Sequence, residues 1–96
     1  MTDHELDVLA RRVGEALAAR GLWLATAESC TGGWIAEAVT AIAGSSGWFD
    51  RGFVTYSNAA KTDMLGVRGE TLDTHGAVSE ATVSEMAAGA LARSRA

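Results

Sequence analysis

An α/β layered domain is what this sequence predicts, and three features predict it. Two short runs, Leu22–Thr26 and Phe53–Tyr56, are apolar or β-branched and aromatic, and read as strands. Each is followed by a stretch with helical periodicity. A further amphipathic helix precedes them all, giving the order helix, strand, helix, strand, helices. With 96 residues, 48% of them apolar, the chain makes one small domain, 1–96, with a modest core.

The first helix opens on a capping box, Thr2 with Glu5 three residues later. Leu6, Leu9, Ala10, Val13 and Leu17 form its apolar face, and Gly21 after Arg20 ends it. Leu22–Thr26 is nearly continuous in its apolar character, as expected of a strand covered on both faces. Thr26-Ala27-Glu28-Ser29-Cys30-Thr31-Gly32-Gly33 then reads as a tight turn into a helix N-terminus. Ile35, Ala38, Val39 and Ile42 share one face of that helix, which should end near Gly44. Gly44-Ser45-Ser46-Gly47 is a second glycine-serine turn, and Trp48 and Phe49 after it read as core or interface anchors. The second strand, Phe53–Tyr56, runs into Asn58, which is expected to cap a short helix from Ala59 to about Leu65, stopped by Gly66. Glu70–His75 forms another short helical turn closed by Gly76. Ser79 caps the last helix, with Val83, Met86, Ala87, Ala90 and Leu91 at regular apolar positions.

Composition narrows the function. A net charge of −4, with eight scattered Lys and Arg, offers no basic footprint for nucleic acid. No apolar stretch approaches the length of a membrane span, and the acidic start Met1-Thr2-Asp3-His4-Glu5 is unlike a signal peptide. A single cysteine rules out an internal disulfide, and the two histidines are far apart with no ligand spacing to Cys30. A cytoplasmic protein without a metal or cofactor is expected.

The Thr26–Gly33 stretch holds the candidate chemistry. A strand–turn–helix junction gathers free N–H groups and the positive end of a helix dipole, which suits a nucleophile or an anion. Ser29 and Thr31 offer hydroxyls there, either for chemistry or simply as helix caps. Cys30 is a rival nucleophile or a small buried hydrophobe. Glu28 either orients a nearby group or favours the helix dipole. Arg51 pairs with a phosphate or with an acidic neighbour.

The motifs Ala27-Glu28-Ser29-Cys30-Thr31-Gly32-Gly33, Ile42-Ala43-Gly44-Ser45-Ser46, and Arg51-Gly52-Phe53-Val54-Thr55-Tyr56-Ser57-Asn58 with Lys61 together resemble the CinA C-terminal domain family. Gly66-Val67 and His75-Gly76-Ala77-Val78-Ser79-Glu80 continue the likeness. The resemblance implies a three-layer α/β/α sandwich around a mixed sheet, of which only the N-terminal part is expected here. It implies an amidohydrolase that converts nicotinamide mononucleotide to nicotinate mononucleotide and ammonia through a serine nucleophile. The alternative is a non-catalytic nucleotide-binding or regulatory module. The resemblance implies catalysis by Ser29, Tyr56 and Lys61, the last being the only lysine. No histidine base is evident and no G-x-S-x-G elbow is present. With Asn58 as cap, Lys61 would be the third helical residue, facing the positive end of the dipole, an unfavourable place for a cation. Such an amine suits the role of general base for a serine. Thr31, Gly32, Gly33, Ser45 and Ser46 are candidates for phosphate, ribose or oxyanion contacts. Only two strands are legible, so a partial site, an open sheet edge and self-association, with a homodimer as the simplest form, are expected.

Overall fold

The computed structural model describes all 96 residues. Seven regular elements follow in order: α1 (Asp3–Ala19), β1 (Leu24–Glu28), α2 (Trp34–Thr40), β2 (Phe49–Val54), α3 (Asn58–Leu65), α4 (Gly69–His75) and α5 (Glu80–Ala92). A single turn of 3₁₀ helix, Ser45–Gly47, leads into β2. The two strands are parallel, as a crossover through a helix requires.

Strand alternation sorts the side chains into two layers. Leu24 and Phe49 pack on one cluster, Ala10, Val39, Ile42 and Trp48, supplied by α1, α2 and the turns beside them. Ala27 and Phe53 pack on the other, Leu65, Val67, Leu72, Met86 and Ala90, supplied by α3, α4 and α5. Phe49 and Phe53 are four residues apart, so an unbroken β2 would put both on one face. The register jumps between Leu24↔Phe49 and Ala25↔Arg51, leaving Asp50 as an extra residue. This bulge turns the two phenylalanines into different cores.

The elements differ from the expected boundaries for physical reasons. β1 starts at Leu24 rather than Leu22, because the Leu22 N–H donates to Leu17 O and the Gly21 N–H to Ala18 O. That pair is a Schellman motif, with Gly21 left-handed at φ 65°, so Leu22 belongs to the end of α1. β1 consequently runs through Glu28. β2 occupies Phe49–Val54, not Phe53–Tyr56. Asp50-Arg51-Gly52 lacks strand composition, yet Arg51 and Gly52 pair with Ala25 and Thr26 of β1. α2 stops at Thr40, and Ile42 reaches the core from the following turn instead of from the helix. Ser57, not Asn58, caps α3: its hydroxyl accepts from the Ala60 N–H at 3.0 Å. The Thr2–Glu5 capping box and the Ser79 cap form as expected.

α5 packs on α3 through Gly89, where an added Cβ would collide with the Leu65 carbonyl. The obstacle is backbone, so it cannot swing away as a side chain would. Gly89→Ala should therefore destabilise the domain by about 1–3 kcal/mol, as overpacking does. Denaturant melts of the two proteins check this, and an unchanged midpoint would show that α3 and α5 separate freely.

Candidate active site

Ser29 follows the last residue of β1, and Thr55 follows the last residue of β2. The Thr55 N–H donates to Glu28 O at 2.8 Å, so the parallel pairing continues one step past the sheet. That step brings the 28–29 and 55–56 segments side by side. α3 then begins at once, and Lys61 lies one turn inside it. Helix side chains lean toward the N-terminus, so its stem returns to this junction.

Lys61 is 1% exposed, and its Nζ has three oxygen neighbours: Thr55 O at 2.9 Å, Tyr56 O at 3.1 Å and Ser29 Oγ at 3.0 Å. No carboxylate pairs with it. Both carbonyls can only accept, so two of the amine's N–H bonds are committed to them. The third direction faces the Ser29 hydroxyl. An ammonium donates a proton along that line, and a neutral amine accepts one along it without moving. The expected helix position shifts by one, because Lys61 is the fourth residue of α3 once Ser57 is the cap. Its Nζ lies among carbonyls before the helix, not against the helix N–H groups.

Tyr56 contributes to this arrangement through its carbonyl. Its side chain is 73% exposed and its phenol makes no hydrogen bond. Ser29 Oγ also stands 3.5 Å from Tyr56 O.

The turn after Ser29 is held by Glu28, which is buried. Its carboxylate accepts from Thr31 Oγ1 at 2.8 Å, the Ile35 N–H at 2.7 Å and the Ala36 N–H at 3.0 Å. Glu28 thus caps α2, whose N-cap residue Gly33 has φ 106° and no side chain to do so. Of its two expected roles, the helix dipole is the one seen; Glu28 does not touch Lys61. Burial pushes the carboxyl up, but the Ile35 and Ala36 N–H groups and the Thr31 hydroxyl outweigh it and hold the group below its ordinary value. A carboxyl held low when folded stabilises the fold above its unfolded value and loses that contribution as pH falls through the folded one. Glu28→Gln should therefore be less stable at neutral pH, by about 1–3 kcal/mol for a disrupted buried acceptor. The gap to the parent should close below the ordinary value of 4.5. Thermal melts across that range measure it. A gap independent of pH would mean that the charge of Glu28 is immaterial.

Gly32, at φ 65°, and Gly33 complete the turn. The N–H groups of Cys30, Thr31 and Gly33 have no acceptor within the chain and lie within a few residues of Ser29. Cys30 is exposed, and its thiol has neither Lys61 nor any other base as partner. Thr31 spends its hydroxyl on Glu28. Ser45 and Ser46 are not brought to this place. They precede β2 whereas Ser29 follows β1, so the length of the sheet, about 16 Å, separates them. Ser45 is buried with its hydroxyl on Thr40 O. Arg51 takes the acidic-neighbour option, with Asp50 at 2.7 Å and Arg93 O at 3.1 Å. Thr55 was not expected to contribute; a residue acting through its carbonyl leaves no mark in side-chain chemistry. No group of three or more acidic, histidine or cysteine side chains is arranged to hold a metal, and no helix is long and apolar enough to cross a membrane.

The model of the CinA C-terminal domain matches residues 6–96. The chain belongs to that family. Nicotinamide-nucleotide amidohydrolase PncC of Escherichia coli (strain K12) is 66% identical over 96 residues, covering 100% of this chain and 58% of that protein. PncC of Enterobacter agglomerans is 60% identical over 91 residues, 95% of this chain and 56% of that protein. This CinA-family chain thus spans under three-fifths of the length of these relatives. Among solved structures, the competence/damage inducible protein CihA from Agrobacterium tumefaciens superposes with a TM-score of 0.94 at 59% identity, over 100% of this chain and 57% of that one. A CinA superfamily protein from Escherichia coli gives 0.91 at 38% identity, over 97% and 55%. The mixed α/β layering expected from the sequence is therefore the fold of the family.

Proposed function

We propose that this domain carries the nucleophile and base of an amidohydrolase acting on nicotinamide mononucleotide. The observation that carries the reading is the 3.0 Å approach of a buried, carboxylate-free lysine amine to the Ser29 hydroxyl. The amidohydrolase names of the relatives support it. Ser29 Oγ attacks the carboxamide carbon as its proton passes to Lys61 Nζ. The free N–H groups of Cys30 and Thr31 receive the oxyanion. Lys61 returns the proton to the departing nitrogen, ammonia leaves, and an acyl-serine remains. Water, deprotonated by the same amine, releases nicotinate mononucleotide and restores Ser29. Tyr56 and Thr55 seat the amine through their carbonyls. Gly32 and Gly33, with no side chains, leave the turn open to the ribose phosphate. The ring's positive charge makes its carboxamide more electrophilic, so the mechanism routes no step through a metal.

A non-catalytic nucleotide-binding module would need the glycine turn but has no use for a buried amine aimed at a serine. Ammonia release from nicotinamide mononucleotide, set against free nicotinamide and the riboside, tests the reading. Preference for the nucleotide is expected. Equal rates on free nicotinamide would overturn the substrate assignment.

Both edges of the two-stranded sheet are unpaired, and Val83 and Leu91 of α5 are each 59% exposed. These features support self-association of the 96-residue chain, with a dimer as its simplest form. Light scattering should find a mass above the monomer's; a monodisperse monomer would refute this.

A further inference from the structure

We infer that Glu28 is a positioning residue for the nucleophile, clamping the Ser29 turn from both sides. The inference rests on the reading of Ser29 as nucleophile. The N-cap position of α2 is left-handed at φ 106°, where Ser, Thr, Asp or Asn would be strained and could not supply the usual side-chain cap. Glycine stands there instead, and the cap comes from the residue immediately before Ser29. The bonds to Ile35 and Ala36 therefore close a loop that contains the nucleophile. The bond from Thr31 fixes the loop's middle.

The main chain of Glu28 completes the clamp. Its carbonyl accepts the Thr55 N–H at 2.8 Å and lies 3.4 Å from Thr55 Oγ1. Thr55 is fully buried, and its own carbonyl accepts from Lys61 Nζ at 2.9 Å. A single residue thus connects the turn bearing Ser29 with the carbonyl seating Lys61. Ser29 cannot drift from the amine unless the carboxylate bonds or the Thr55 bond give way. Occupation of the α2 N–H groups has a second effect. In the nucleophile's own turn, the N–H groups of Cys30, Thr31 and Gly33 are left without an acceptor. Glu28 directs an incoming oxyanion there and away from the helix.

Phenylmethanesulfonyl fluoride tests this without relying on the natural substrate. Ser29 Oγ bonds to sulfur, fluoride leaves, and the hydroxyl proton goes to Lys61. Intact mass and peptide mapping report the modified residue, and the concentration dependence separates the maximal inactivation rate from reagent binding. In Glu28→Gln, folded by circular dichroism, the maximal rate should fall about 100-fold, as for a nucleophile misplaced by an ångström, with reagent binding unchanged. A residue serving stability alone would leave the rate per folded molecule at the parental value. Should Glu28→Gln fail to fold, Thr31→Val removes one clamp bond from an exposed residue and should slow labelling roughly fivefold, the worth of one net hydrogen bond. Parental rates in the folded variants overturn the positioning role. Absence of label on Ser29 in the parent overturns the nucleophile itself, and this inference with it.

Discussion

In the protein at the full length of its relatives, Ser29→Ala should abolish amide hydrolysis, while Cys30→Ala should keep most of it. The two residues are neighbours on one turn, so exposure and helix environment barely separate them. What separates them is the base. Lys61 Nζ is 3.0 Å from Ser29 Oγ, and no comparable group faces the exposed Cys30 thiol. Loss of a nucleophile that acts as a unit with its base costs at least about ten-thousandfold in turnover. Residual hydrolysis in Ser29→Ala reflects only orientation and oxyanion binding. Cys30→Ala removes a side chain with no hydrogen bond, and the Cys30 N–H proposed for the oxyanion survives the change. Initial rates of both variants on nicotinamide mononucleotide, with melts to confirm folding, decide the matter. An inactive Cys30→Ala beside an active Ser29→Ala would reverse the assignment.

Some helix caps could be read from residue types, the candidate catalytic residues came from the family resemblance, and the rest was hidden where the backbone acts. Thr2, Glu5 and Ser79 cap their helices as their spacing predicts, because capping is local chemistry. Ser29 and Lys61 are two of the three residues that the family resemblance singles out, and the fold brings them into contact over 32 residues of separation. Strand boundaries were less legible. Asp50, Arg51 and Gly52 do not look like a strand, but ladder hydrogen bonds are indifferent to side chains on an edge. The bulge at Asp50, invisible in composition, decides which core each phenylalanine joins. Ser57 outcompetes Asn58 as cap although both are good cap residues, and that single step relocates Lys61 along α3. Two glycine-serine turns looked alike in sequence. Parallel strands put their starts at one end of the sheet and their ends at the other, so only the turn following a strand reaches Lys61. Tyr56 was expected among the catalytic residues, and its contact with Lys61 is made by its carbonyl, an atom every residue has.

Lys61→Arg should leave a folded protein with almost no activity. General-base catalysis is worth about 100- to 10,000-fold, and a guanidinium, which stays protonated, cannot supply it. The planar fork also does not fit a position where two carbonyls and one hydroxyl converge on a single nitrogen. Reduced activity in this variant alone would not distinguish a lost base from a distorted seat, so a second variant is needed. Lys61→Ala removes the amine and opens a channel along the former stem, while the Thr55 and Tyr56 carbonyls remain as its floor. A small primary alkylamine can enter, donate its two N–H groups to those carbonyls and point its lone pair at Ser29. Added ethylamine should therefore restore part of the lost rate in Lys61→Ala, in proportion to the concentration of its neutral form. It should do nothing for Lys61→Arg, whose side chain fills the space, or for Ser29→Ala, which has no hydroxyl to deprotonate. The measurement is the initial rate of nicotinate mononucleotide formation, followed by chromatography, against amine concentration at several pH values. Normal turnover by Lys61→Arg would exclude the general-base role, and rescue by the protonated amine instead of the neutral one would make Lys61 an electrostatic anchor.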